Sequence, residues 1–126
     1  YRRAITINPY HVEAHHNLGG VYWEKGMLSK AISEYKKSIA LYPNCADAHY
    51  SLGIAYGDNG MLPKAIAAYK KAIAIDFEHA DAHYNLALAY YFNGQYGLAI
   101  KHCDKAVELG AKVRSKFLKL LKPYRK

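Results

Sequence analysis

Histidine and cysteine side chains four residues apart are the groups in this sequence whose types and spacing could do chemistry. The pairs are His11/His15, Cys45/His49 and His79/His83. On a helix such a pair shares one face and could hold two of the four positions around a zinc ion. The first member of each pair falls where one helical pattern ends and the next begins, so helical geometry is not assured there. Each pair lacks a third and fourth donor, although His16 stands beside the first. Equivalent pairs in neighbouring units would sit one helix spacing apart, roughly 8–10 Å, too far to share an ion. A resident metal is therefore not expected, while incidental capture of nickel or zinc in vitro is. There is also no Gly-x-Ser-x-Gly elbow, no glycine-rich phosphate loop and no His-Glu-x-x-His pair. The sequence reads as non-enzymatic and free of cofactors.

The elements that carry these pairs repeat. Ala14, Ala48 and Ala82 are 34 residues apart, as are Leu18, Leu52 and Leu86; Tyr22, Tyr56 and Tyr90; Gly26, Gly60 and Gly94; and Ile32, Ile66 and Ile100. A period of this length means stacked supersecondary units. Within a unit the apolar residues follow a 3.6-residue stripe twice, first through Ala14, Leu18 and Tyr22, then through Ala31, Ile32, Tyr35 and Ile39. The glycine between them suits a left-handed helix end. Ser29, Pro63 and Gly97 follow at equivalent places, which predicts a second helix starting near them with Ser29 as an N-cap. Glu13, Asp47 and Asp81 are expected in the first turn of each leading helix, where the dipole favours a negative charge. Small residues (Gly19, Gly53, Ala87; Ala31, Ala65, Ala99) recur where two helices must approach closely.

The run His15-x2-Leu18-Gly19-x2-Tyr22, then Ala31-x3-Tyr35 and Pro43, resembles the tetratricopeptide repeat. Copies two and three keep His49, Leu52, Gly53, Tyr56, Ala65 and Tyr69, then His83, Leu86, Ala87, Tyr90, Ala99 and Cys103. Histidine replaces the family's usual tryptophan, and proline is lost after copies two and three. The resemblance implies an all-α fold, a right-handed superhelical α-solenoid of antiparallel helix pairs. Residues 12–45, 46–79 and 80–113 are read as three full repeats. Residues 1–11 read as the second helix of a truncated preceding repeat. Residues 114–126 read as a capping helix with a basic tail, in which Phe117, Leu120, Leu121 and Tyr124 face the last repeat and Pro123 stops the helix near Lys122. The missing initiator methionine and the mid-repeat start read as a fragment of a longer array.

In that family the leading helices line a concave groove. Carried over by position, the groove here consists of Glu13, His16, Asn17, Trp23, Asp47, Tyr50, Ser51, Ile54, Asp81, Tyr84, Asn85, Leu88, Tyr91 and Phe92, beside Glu24, Gly57 and Asp58. It carries carboxylates and no lysine or arginine. The expected partner is a peptide with basic and apolar side chains, anchored on Trp23, Tyr50, Tyr84 and Tyr91. Asn17 and Asn85 could bond its backbone, as asparagines do in the superhelical repeats of glycosyltransferases, with Ser51 interrupting the ladder. The plainer alternative is that these residues are solvated or packed within the chain. The family's carboxylate clamp falls on His16, Gly20, Ser51, Asp81 and Asn85, which lack its basic groups, and a register one repeat on gives Tyr50, Ile54, Asn85, Ser115 and Lys119, with two matches of five. Binding to chaperone tails of that type is therefore not expected.

The net charge of +8 is concentrated at one end. Lys112, Arg114, Lys116, Lys119, Lys122, Arg125 and Lys126 stand in a stretch without acidic residues. Three readings follow: a peptide-binding interaction scaffold; a self-assembling module that associates through an open front helix; and a binder of nucleic acid or anionic membrane through the basic tail, the last being the least expected. Two cysteines in different repeats are not a disulfide framework and lean towards a reducing compartment, with the cytoplasm as the default.

Overall fold

The computed structural model describes residues 9–125. The part of the truncated repeat read into residues 1–8 lies outside them. The helices are α1 (Pro9–Glu24), α2 (Leu28–Leu41), α3 (Ala46–Asp58), α4 (Leu62–Ile75), α5 (Ala80–Phe92), α6 (Tyr96–Glu108) and α7 (Ser115–Leu121), followed by a 3-10 turn at Lys122–Tyr124. No strand occurs among the described residues, and none of their helices is long and apolar enough to cross a membrane.

Each leading helix packs chiefly on the helix that follows it, and each second helix packs on the next leading helix. Successive leading helices also approach one another, α1 to α3 and α3 to α5, whereas α2, α4 and α6 do not. That asymmetry curves the stack with α1, α3 and α5 on the inside. The three pairs form the α-solenoid that the 34-residue period predicts.

Turn chemistry sets the unit. Gly26, Gly60 and Gly94 all have positive φ, near +75 to +80°. Each lets the chain reverse so that the next N–H bonds back five residues, Met27 to the Tyr22 carbonyl and Met61 to that of Tyr56. This reversal brings the second helix in early. α2 starts at Leu28 with Met27 as its N-cap residue and no side-chain cap. Ser29 is therefore already inside the helix, not its cap. α1 also starts early, at Pro9, a residue pre-set for a first helical turn. Residues 9–11 thus belong to α1, and Glu13 lies beyond its first turn, unlike Asp47 and Asp81 in α3 and α5.

Packing within a pair is set by one small–large contact. A Cβ added to Gly19 would lie 2.7 Å from the Tyr35 ring, and one added to Gly53 would lie 2.6 Å from the Tyr69 ring. The third pair narrows the difference in size: Ala87 supplies a methyl and the smaller Cys103 replaces the tyrosine, both fully buried. At the far end α7 buries Phe117 and Leu121 but leaves Leu120 and Tyr124 half exposed, so only part of the expected capping face is covered. The Tyr124 ring instead stacks on Tyr96 at 3.8 Å, and Arg125 pairs with both Asp104 carboxylate oxygens at 2.7 and 3.2 Å.

Candidate binding groove

α1, α3 and α5 carry no lysine or arginine, whereas α2, α4 and α6 carry eight. The inner helices therefore present Glu13, Glu24, Asp47, Asp58 and Asp81, all exposed, without a cation among them.

Several groove side chains are tied to one another. His16 Nε2 lies 3.1 Å from Ser51 Oγ. The Trp23 indole N–H donates to Asp58 at 2.7 Å. The Asn85 amide donates to the Tyr50 hydroxyl at 2.9 Å, and the Tyr84 hydroxyl accepts from the Arg114 backbone N–H at 3.4 Å. Three of these bonds join residues 35 apart, one more than the sequence period. They form a ladder along the inner face that braces one repeat against the next. Burial, helped by the Asp81 carboxylate, raises the Tyr50 pKa, so its hydroxyl stays protonated and able to take part in such bonds. Ser51, which stands between Asn17 and Asn85 in the asparagine column, is one partner in these intrachain bonds. Tyr50, Tyr84 and Asn85 are half-buried and engaged within the chain, not free anchors. Tyr91 is half-buried against Phe92, Tyr96 and Phe117.

The free surface lies elsewhere. Ile54, Leu88 and Phe92 project beside Trp23 around a cavity of about 390 Å³, and Phe92 is 70% exposed. Asn17 is exposed at the front. Position 57 leaves room for the cavity. It carries glycine where repeats one and three carry Trp23 and Tyr91, so Leu62, Ala65 and Tyr69 of α4 form the floor. The sequence reading assigned the groove to leading helices alone and missed these three. The alternation of large, absent and large side chains in that column was the available signal.

His15, His49, His79 and His83 are engaged within the chain. His49 Nε2 lies 2.9 Å from the Pro43 carbonyl and His83 Nε2 lies 2.8 Å from that of Phe77, each spanning an inter-repeat turn. A carbonyl only accepts, so both rings carry a proton on Nε2. Burial lowers the pKa of His83, which keeps it neutral. His15 instead meets Glu34 at 2.7 Å, and this hydrogen bond is the main cause of a lowered Glu34 pKa. His79 accepts from the Ala82 N–H on Nδ1, capping α5, and donates from Nε2 to Asp47. Among the described residues no three potential metal ligands come together.

The small–large register, the glycine-closed turns and the stacked pairs agree with the sequence families that match. A model described as TPR repeat matches residues 21–60 and 58–94, and one described as Tetratricopeptide repeat matches residues 80–110. The chain belongs to the tetratricopeptide repeat family. No curated protein matches it significantly. Among solved structures, a crystal structure of MamA is 34% identical with a TM-score of 0.77, over 81% of this chain and 60% of that one. The first tetratricopeptide domain of Spaghetti (RPAP3), solved bound to the HSP90 peptide SRMEEVD, is 17% identical with a TM-score of 0.89, over 95% and 97% of the two chains. The Arabidopsis OM64 domain gives 20% identity and a TM-score of 0.87, over 91% and 97%. The last two likenesses speak for the shared fold alone. The present chain thus spans 60% of the MamA chain and nearly all of the other two.

Proposed function

We propose that this tetratricopeptide array is a protein-interaction scaffold that holds a peptide with basic and apolar side chains against its inner face. The separation of charge carries the reading: carboxylates on α1, α3 and α5, lysines on α2, α4 and α6. A cationic segment is drawn to the inside and an acidic one is repelled. The cavity beside Trp23, Ile54, Leu88 and Phe92 supplies an apolar anchor point. A related domain holds an acidic chaperone peptide. Here the positions that match a carboxylate clamp are His16, Gly20, Ser51, Asp81 and Asn85. They offer no lysine or arginine, and the register one repeat on supplies only Asn85 and Lys119 of the five, so such a tail is not the proposed partner.

Trp23 is the only tryptophan and forms one wall of the cavity, so its fluorescence reports occupancy. A peptide array should favour basic–apolar over acidic sequences. Phe92→Ala should weaken the best binder about tenfold or more without loss of stability, because Phe92 is mostly exposed. A preference for acidic peptides would overturn the reading.

Self-association through the front of α1 is a second reading, favoured by the exposure of Leu18 and Val21 at 40% and 43%. Light scattering across a concentration series tests it; a constant monomer mass would count against it.

A further inference from the structure

A second cavity, of about 480 Å³, opens at the front edge of the groove between α1, the end of α2 and the start of α3. That is within the usual size range of ligand pockets. Its walls are Val12, His16, Tyr42 and Cys45, its rim is Glu13 and Asp47, and Ser38 lies at its buried end. Comparison with the next repeat explains why it exists. There the places of His16 and Cys45 belong to Tyr50 and His79, whose rings pack 4.8 Å apart and fill the space. In the third repeat Tyr84 stands at the same place, beside Phe117 and bonded to the Arg114 N–H. Repeat one thus carries the smaller imidazole of His16 where repeat two has a phenol, and the thiol of Cys45 where repeat two has an imidazole, while Tyr42 takes the place of Asp76 on the wall.

The cavity also ends on an unusual group. Ser38 is 1% exposed and its hydroxyl has no hydrogen-bond partner. The equivalent positions are Ala72 and Ala106, both fully buried, so packing alone does not call for a hydroxyl here. A buried polar group without a partner is disfavoured unless something completes it. The rim adds two carboxylates, and among the described residues no basic side chain lines the space.

We propose that this cavity receives one hydrogen-bonding aromatic side chain, tyrosine or tryptophan, from a peptide in which lysine or arginine stands next to it. The ring takes the volume that Tyr50 and His79 fill one repeat on. Its hydroxyl or indole N–H meets Ser38 Oγ once the side chains that close this atom off from the empty cavity move aside, and the neighbouring cation sits between Glu13 and Asp47. This deepens the groove reading and rests on it.

The test uses heptapeptides that differ in one dipeptide step: Tyr-Arg, Phe-Arg, Ala-Arg and Tyr-Glu. Wild type should bind the Tyr-Arg peptide about thirtyfold more tightly than the Ala-Arg one, the scale of an interface hot spot. The double variant His16→Tyr/Cys45→His, which copies repeat two, should bind both at the weaker level. Ser38→Ala, which copies Ala72 and Ala106, should bind tyrosine no better than phenylalanine. Equal affinities for Tyr-Arg and Ala-Arg in wild type, or an unchanged Tyr-Arg preference in the filled variant, would overturn the pocket even if groove binding persists. Should no peptide bind, the groove reading fails, and tyramine then probes the cavity alone. Saturable NMR shifts at Val12, His16 and Cys45, absent in the filled variant, support the pocket; their absence from wild type overturns it.

Discussion

Leu18 and Leu86 occupy the same register position in α1 and α5, yet the first is 40% exposed and the second 1%. Val21 is likewise open where Ala55 and Ala89 are buried. Nothing in the two leading helices themselves accounts for this. The difference is the neighbour: α2 covers α3 and α4 covers α5, while α1 has no described second helix before it. Stability in a solenoid is accordingly a sum of repeat and interface terms, and the same residue contributes very differently at the two ends.

The sharpest way to break that comparison is to truncate both leucines. Leu86→Ala should cost about 2–5 kcal/mol, since it leaves a cavity in a packed interior. Leu18→Ala should cost about 1 kcal/mol or less, because much of its surface already meets water. Urea midpoints of the two variants decide it. Equal losses would mean that something covers α1 as completely as α4 covers α5.

A second contrast sets Gly53 against Gly57, two glycines of the same helix. A methyl at Gly53 would meet the buried Tyr69 ring at 2.6 Å, which requires a shift of a packed group. Gly53→Ala should destabilise by about 1–3 kcal/mol, reduced by the up to ~1 kcal/mol that alanine gains in a helix. A methyl at Gly57 would meet the Ala65 Cβ at an ordinary 3.8 Å, so Gly57→Ala should be stabilising by the helix-propensity gain alone. Repeat three supplies the control: Gly53→Ala combined with Tyr69→Cys reproduces Ala87 and Cys103, and the loss should be less than the sum of the single changes. Strict additivity in thermal melts would show that these two positions do not set the helix spacing.

The architecture was legible in the sequence because period, small–large pairing and glycine-closed turns all point to one answer. The N-cap at Ser29 was misread because the reversal at Gly26 starts α2 at Leu28, and serine's preference for a cap is weaker than that backbone geometry. The groove was legible as a face but not as a set of free groups. Aligning residues 34 apart puts Tyr50 beside Tyr84 and Ser51 beside Asn85. The superhelix instead bonds residue to residue at 35, so Tyr50 finds Asn85 and Trp23 finds Asp58. The front cavity was hidden for a similar reason. Columns 16/50 and 45/79 each show a size change, but only the fold reveals that the two columns face each other.

The gentlest contrast is chemical and concerns pH. His15 faces Glu34 in the first repeat, and His83 faces His102 in the third, at equivalent positions. Since His83 donates from Nε2 to the Phe77 carbonyl, its Nδ1 accepts, and His102 must donate from Nδ1 across 3.0 Å. A proton on His83 Nδ1 would remove the acceptor of this bond, whereas one on His102 goes to Nε2 and leaves the bond in place, so burial and neighbouring charge are what oppose a charged His102. Burial first, then the neighbouring His83 and the Lys101 and Lys70 charges, lowers the His102 pKa to about 4. The unfolded chain, with an ordinary histidine near 6.5, therefore binds more protons than the folded one between those values. Stability contributed by this pair is present above pH 6.5 and is lost as pH falls towards 4. Glu34 behaves differently: held below 4.5 chiefly by the His15 hydrogen bond, it stabilises above that value and loses its contribution only as pH falls beneath it. Acidification should thus loosen the third repeat before the first, with hydrogen exchange rising in α5 and α6 between pH 6.5 and 4 while α1 and α2 respond only below that. His102→Ala, which copies Ala68 of repeat two, should flatten the melting temperature across the upper window. An undiminished slope there would place the acid sensitivity in some other group.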